Sequence, residues 1–487
     1  MYRKSGDKVE KNIDNIIARL KNETNNLQDI VYRMKKIRKK QICIIYNEPL
    51  TSSDKISDFI LRSLNKIAEK KHKNLIDEIV NDINNFKVSR LSSYDDLCFY
   101  LHRGFTIILI DDESEFLALE TKSDLGRSIS TPDTENAVRG SKDAFVEEYQ
   151  KNIGLIKKRI KSNDLWIDNL NIGKYTKTSV GIIYINGIVK KDLVDKVTSS
   201  LNKINIDGII DSSSIKNLLA KENKMAFPTI ITTERPDLVT KELLEGKVVI
   251  VVDNSPFVIL VPSVLNDFFK TSEDSYGKSI NVTFTRIIKV MAFWISLLTP
   301  AIYISLITYN QEMVPTQLLT SFAMQREGVP FPAFFEAFIM MSAFEMLRES
   351  DLRVPSFTGS SLSIVGALIL GDAAVNAGIV SPIMIIVISL TAISSLPFNE
   401  AELINAIRIY RLLFMIGASF MGIVGVVIAF ILFITHLASS ESFGKPYLLP
   451  YAPTDIAGIK DSIFKSSLQS KKERSSYLSN NSIRQGD

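Results

Sequence analysis

Side chains able to do bond chemistry are few in this chain, and most stand alone. Among 487 residues there are two cysteines, Cys43 and Cys98, and three histidines, His72, His102 and His436. The cysteines lack CxxC spacing, which argues against a disulfide framework and against zinc or iron–sulfur binding. The scattered histidines form no metal-ligand pattern. No Ser/His/Asp or Cys/His set marks a nucleophile. Gly277-Lys278-Ser279 has the ending of a phosphate loop, but that loop needs a glycine five residues before its Gly-Lys pair, and Ser272 stands there. The tripeptide also follows the last strand rather than joining a strand to a helix. These absences predict no catalytic residue, no cofactor, no metal and no enzyme.

The informative polar residues are acids set in apolar sequence. FPAFFEAFIMMSAFEML (331–347) carries Glu336 and Glu345, and SSLSIVGALILGDAAVNAGIV (360–380) carries Asp372. An ionisable group at bilayer depth costs a few kcal/mol, so it faces protein or water rather than lipid. Glu336 and Glu345 therefore either pair with Arg348 or Arg326 or attract ions. Gly359, Ser363, Ala367 and Gly371 recur every four residues, a stripe on one helix face with Asp372 at its end. Such a stripe is either a close helix-packing seam or the wall of a permeation pathway with Asp372 at its mouth. Asp372 has a second reading, as a cap on the AAVNAG turn. Ala418 and Gly422, then Gly425 and Ala429, are also four apart and would let another helix backbone approach.

The elements that must position these residues are apolar helices. A span needs about 20 apolar residues for a hydrocarbon core about 30 Å thick. IIKVMAFWISLLTPAIYISLIT (287–308) qualifies, with Pro300 as a kink, and SPIMIIVISLTAISSLP (381–397) is apolar but short. LLFMIGASFMGIVGVVIAFILFITHL (412–437) is the strongest span. If 331–347 also spans, Arg286, Lys289, Arg348, Arg353, Arg408 and Arg411 share one side and Arg326 stands opposite. That agrees with the positive-inside rule and gives about five spans, with the carboxyl tail on the outer side.

The first 280 residues are rich in Lys, Asp, Glu, Asn and Ser. No signal peptide opens the chain, which is charged from residue 3, so the amino-terminal half is expected in the cytoplasm. Residues 1–40 read as a basic helical arm ending in RMKKIRKK, either solvated or drawn to anionic headgroups. Residues 41–130 form a first α/β subdomain: a buried strand QICIIY, an amphipathic helix over 54–71, and FTIILID with FLALE as a hairpin. After a turn-rich linker (128–143), residues 131–284 form a second subdomain. It holds a helix over 143–160, paired strands closed by Asn186-Gly187, a helix near 190–202, and helix–strand–turn–strand over 235–262. The fold class is an α/β two-subdomain soluble region followed by an α-helical multispanning membrane domain (285–440) and a polar tail (441–487). A net charge of +4 gives no sign of a nucleic-acid partner.

The run REGVPFPAFFEAFIMMSAFEMLRESDLRVPSFTGSSLSIVGALILGDAAVNAGIVSPIMI resembles the signature region of GerA-type spore germination receptor A subunits. RGSKDAFVEEYQKNIGLIKKRI, NIGKYTKTSVGIIYINGI and ERPDLVTKELLEGKVVIVVDNSPFVILVP resemble that family's soluble blocks in the same order. The resemblance covers residues 130–455. It implies a protein of the spore inner membrane, with its soluble half facing the spore core. Its implied partners are a B-type transporter-like subunit, a C-type lipoprotein subunit, further copies of the chain and membrane lipids. It also implies a homo-oligomeric cation channel opened by nutrient, which favours the pathway reading of the 359–371 stripe. The related SpoVAF sporulation proteins share the pattern. A transporter and a non-conducting scaffold are the alternatives from other classes.

Overall fold

The computed structural model describes residues 10–38, 40–69, 75–83, 88–123, 132, 134–135, 140–220, 226–351, 370–466, 471, 473–480 and 483–484. The chain divides into two compact units. One comprises residues 1–222, 230–262 and 469–487, and the other comprises 223–229 and 263–468.

The first unit is built on two five-stranded antiparallel sheets. The first sheet has the order β1-β2-β4-β5-β3, where β1 is Ile30–Ile37, β2 Lys40–Asn47, β3 Val88–Leu91, β4 Phe105–Ile110 and β5 Phe116–Glu120. Successive residues of a strand point to opposite faces, and β2 is apolar on both. Ile42 and Ile44 pack with Ile56, Ile60, Leu64 and Ile67 of the helical stretch over 53–69. Cys43 and Ile45 join the other core, with Leu97 and Leu101 of the Tyr94–Leu101 helix. The expected FTIILID–FLALE hairpin is present as β4 paired with β5.

The expectation of a helical arm over 1–40 is corrected here. Among its described residues only Ile13–Glu23 is helical, and the basic run ending in RMKKIRKK contributes to β1, an edge strand paired with β2 from Ile30↔Asn47 to Ile37↔Lys40. Charged side chains on an exposed edge discourage pairing with foreign strands. The same charges give the sequence the look of a solvated helix.

The second sheet has the order β6-β7-β9-β10-β8, where β6 is Leu165–Ile172, β7 Thr178–Ile185, β8 Ile231–Thr233, β9 Val248–Val252 and β10 Val258–Val261. Gly246, at φ +99°, ends the Pro236–Glu245 helix in the left-handed conformation that glycine adopts without a Cβ penalty. The helix expected from 143 begins only at Tyr149. Residues 141–148 before it form neither helix nor strand, and there Phe145 is buried with its N–H donating to the Glu234 carbonyl at 2.8 Å. Both sheets feed one core. Lys157, on the Tyr149–Arg159 helix, is enclosed where it bonds Asp29 at 3.0 Å and Asn47 at 3.2 Å. Burial pushes the Lys157 ammonium down from its ordinary value, against the pull of Asp29.

Described residues near the carboxyl end contact this unit: Ser479 bridges Val189, and Lys471 and Arg484 both reach Glu245.

The second unit contains helices Ser279–Thr308, Thr316–Arg326, Ala333–Asp351, Pro382–Ile393 and Ala401–Ala438. Among the described residues, Ser279–Thr308 and Ala401–Ala438 are long and apolar enough to cross a membrane, while Pro382–Ile393 is shorter. Ala401–Ala438 is interrupted at Gly422, whose φ of 60° and ψ of −139° are not helical. The Tyr410 and Phe433 rings are 4.9 Å apart, and those of Phe414 and Phe433 are 5.9 Å apart. A continuous helix would separate Tyr410 from Phe433 by about 35 Å. The element is therefore a hairpin with arms 401–421 and 423–438.

This corrects the reading of 412–437 as one span, and with it the outer placement of the tail. The second arm returns the chain to the end of the bundle where it entered. There Leu265 donates to the Tyr447 carbonyl at 3.0 Å, and Arg286 donates to the Asp461 and Ser462 carbonyls at 2.9 Å each. The Tyr447 hydroxyl donates to the Pro228 carbonyl at 2.8 Å, and Phe227 packs on Tyr410 and Phe433.

Candidate functional site

Two charged clusters of the helical unit, one towards each end, each include an acid of the Ala333–Asp351 helix. The first forms because Gly328, at φ +90°, reverses the chain between Arg326 and Ala333. That reversal sets Arg326, in the last turn of one helix, against Glu336, in the first turn of the next. Glu336 is fully enclosed. Its carboxylate accepts from Arg326 Nη2 at 3.0 Å, the Ser381 backbone N–H at 3.0 Å and Ser381 Oγ at 2.8 Å. Ser381 is the N-cap of Pro382–Ile393, so the carboxylate also lies at the positive end of that helix dipole. The Tyr303 hydroxyl and Arg326 Nε are buried without a hydrogen-bond partner. The group ties three helices together through one buried ion pair. Removing a single member would strand the others.

The second cluster lies nearer the end where the chain enters. Glu345 Oε2 is 2.7 Å from Arg408 Nη2. Arg411 is buried, and its Nε donates to the Ser296 carbonyl at 2.6 Å. Arg348 interacts electrostatically with Arg408 and Glu345.

A third contact closes the far end of the hairpin. The Ile423 N–H donates to Asn310 Oδ1 at 3.0 Å, across from the end of the Ser279–Thr308 helix. A Cβ on Gly422 would lie 2.6 Å from Asn310 Oδ1 and 2.7 Å from Tyr309 Cβ, so the turn has no room for one.

The other residues singled out in the sequence are placed as follows. Gly359, Ser363 and Ala367 lie outside the described residues. Gly371 and Asp372 belong to a helical turn over 370–376, where Asp372 is exposed and accepts from Asn376 Nδ2 at 3.2 Å. Ala418, Gly422, Gly425 and Ala429 are all buried. Gly425 packs against Gly417 of the opposite arm, so the backbone that approaches it belongs to the same element.

Sequence reasoning missed the partners Arg408 and Ser381. Arg408 lies 63 positions from Glu345, and Ser381 lies 45 from Glu336; no local spacing announces either. It also missed a cavity of about 660 Å³ in the sheet unit, lined by Glu23, Cys98, His102, Asn163 and Trp166 among others. That lining offers carboxylate, amide, imidazole and indole groups, and Trp166 Nε1 has no partner there. Burial holds the His102 imidazole below its ordinary pKa, against the hydrogen bond that its Nε2 makes to Asn163 Oδ1, and it raises the Cys98 thiol. Among the described residues, no His/Cys/Asp/Glu group is arranged to hold a metal.

Buried ion pairs inside an apolar bundle, joined to a two-sheet α/β unit, form a whole-chain pattern, and a family pattern covers it. The model of the Bacillus/Clostridium GerA spore germination proteins matches residues 18–477. The chain belongs to this family. The match extends well before residue 130, where the resemblance read from sequence blocks began. Spore germination protein KA of Bacillus subtilis is 38% identical over 477 residues, covering 96% of this chain and 87% of that one. The uncharacterized membrane protein YfkQ of the same organism is 36% identical, covering 90% and 86%. Spore germination protein B1, also from B. subtilis, is 33% identical, covering 88% of each. Among solved structures, the N-terminal domain of the A subunit of the Bacillus megaterium spore germinant receptor GerK3 aligns with a TM-score of 0.43 at 29% identity. That alignment covers 54% of this chain and 99% of that one.

Proposed function

We propose that this GerA-family chain is the A subunit of a nutrient receptor in the spore inner membrane, and that its helical unit forms a cation pathway in a homo-oligomer. The observation that carries the reading is the buried Arg326–Glu336–Ser381 cluster inside an apolar bundle. A carboxylate enclosed at this depth needs organised partners, and the cluster locks three helices that would otherwise be held by apolar packing alone. The sheet unit faces the spore core, on the side favoured by the arginines. A B-type transporter-like subunit and a C-type lipoprotein subunit complete the receptor, with nutrient recognition residing mainly in the former. The small-residue face that ends at Gly371 and Asp372 lines the pathway.

Proteoliposomes containing the chain together with its B- and C-type subunits test this directly. Cation efflux on nutrient addition is expected, with altered conductance for Asp372→Asn. Absence of flux under every activating condition, together with a monomeric state in detergent, would overturn the proposal.

A further inference from the structure

In the sheet unit, the Pro236–Glu245 helix ends on a patch that three cations reach. The carbonyls of a helix's last turn lack intrahelical donors and carry the negative end of its dipole. Glu245 adds a carboxylate at that end. Lys471 Nζ lies 2.9 Å from Glu245 Oε1, Arg484 pairs with the same oxygen, and Arg474 Nε donates to the Leu244 carbonyl at 2.7 Å. Both cations paired with Glu245 therefore come from the carboxyl-terminal segment. Lys247, two residues beyond Glu245, is paired with Glu242 at 2.8 Å instead. Glu473, the one acid among the segment's described residues, is exposed.

Beside this patch the segment is held by backbone. The Asn480 N–H donates to the Ile188 carbonyl at 2.9 Å, and the Lys190 N–H donates to the Leu478 carbonyl at 3.3 Å. Ser479 Oγ donates to the Ile188 carbonyl at 2.8 Å. The Ser475 carbonyl accepts from the Leu478 and Ser479 N–H groups at 3.2 Å each, and Glu473 bridges Ile483, so the segment is folded on itself. A Cβ on Gly246 would lie 3.0 Å from the Leu478 carbonyl oxygen, so the helix-ending glycine also gives the segment its room. Among the segment's described residues Ser479 alone is buried, and Ile483 is exposed. Hydrogen bonds and part-exposed ion pairs without a large buried apolar anchor contribute little each. Such a contact opens locally at a small fraction of the free energy of global unfolding.

We propose that Ile188–Lys190 and Leu244–Glu245 form a docking site for a basic peptide segment, occupied in cis by the chain's own carboxyl-terminal segment, which detaches and re-docks as one piece. Charge selects the occupant: Glu245 and the helix end attract Lys471, Arg474 and Arg484 and would repel an acidic segment. The backbone bonds at Ile188 and Lys190 set its register. Release opens the site to a competing basic segment. The site lies wholly in the sheet unit, so it stands whether or not the helical unit conducts ions.

Hydrogen–deuterium exchange of the full chain in detergent tests the site, read at the amides of Lys190 and Asn480. Both are expected to exchange about tenfold faster in about 0.5 M salt than in dilute buffer, because salt screens part-exposed ion pairs. The strands β7 and β9 should keep their protection. Glu245→Lys should release the segment even in dilute buffer. If that variant loses protection in β7 or β9, Glu245→Gln takes its place. A synthetic peptide of residues 469–487, added in excess to an isotope-labelled full chain, should displace the resident segment. Asn480 of the chain then exchanges faster while Lys190 stays protected under the added peptide. The same peptide with Lys471, Arg474 and Arg484 replaced by glutamine should compete about tenfold less well. Unchanged exchange at both amides in salt and in the Glu245 variant overturns detachment. No displacement by excess peptide, or equal displacement by the glutamine peptide, overturns the docking site and its preference for a basic segment.

Discussion

Glu336 and Glu345 sit on one helix, nine positions apart, and their surroundings differ in kind. Glu336 is sealed, with three donors on its carboxylate, one of them a cation. Glu345 is about 30% exposed and pairs with Arg408 at 2.7 Å. The first arrangement is a closed unit in which each charge needs the other. The second is part-exposed, an ion pair that solvent reaches. The same residue type on the same helix is thus a structural lock at one end and part of an adjustable surface at the other.

The sharpest way to break this contrast is Glu336→Ala. It leaves Arg326 and the Ser381 N–H without their acceptor inside the bundle, and a loss of roughly 3–5 kcal/mol is expected from orphaning a buried partner. Chemical denaturation of the detergent-solubilised chain measures it; a loss below about 1 kcal/mol would mean that water reaches the cluster. Gly422→Ala comes next. It forces a residue with a Cβ into a left-handed conformation against Asn310 and Tyr309, and a loss of about 1–3 kcal/mol is expected, read as a lower melting temperature. Asn310→Ala removes only the acceptor for the Ile423 N–H and should cost about 1–2 kcal/mol. Glu345→Gln should cost no more than about 1 kcal/mol, since the pair is part-exposed. A larger effect there would erase the difference between the two acids.

The sheet unit offers a pH test that the bundle does not. His102 is held neutral by burial, so its folded pKa is lowered. Below about pH 6.5 the unfolded chain takes up a proton that the folded chain refuses. Stability therefore falls on acidification through that value, by at most about 1.4 kcal/mol for every tenfold by which folding weakens the imidazole's hold on its proton. His102→Gln should flatten the slope of melting temperature between about pH 7 and pH 5. An unchanged slope would assign the acid sensitivity to other groups.

Much of the sheet unit was legible in the sequence because its signals are local. QICIIY is apolar on consecutive residues, the 54–71 helix repeats its apolar residues every three or four, and Gly246 and Asn254 mark a helix end and a turn. β1 was not legible. Its arginines and lysines fit a solvated helix as well as an edge strand, and only pairing with β2 distinguishes the two. In the bundle, the presence of acids in apolar sequence was visible, but Ser381 and Arg408 were not, since they arrive through tertiary packing.

By itself, the sequence determined the division into a polar α/β portion and an apolar helical portion, the positions of the acids within apolar sequence, and the blocks that mark a GerA-family protein. Hydropathy, periodicity and turn residues are written locally, so they survive without a fold. Tertiary structure alone decided that 412–437 is two arms rather than one span. An apolar run containing glycines continues as a helix or turns back depending on what meets it. Here Asn310 waits at the turn to accept the Ile423 N–H, and Gly417 admits Gly425 against its own backbone. That one reversal returns the carboxyl end to the side where the chain entered the bundle.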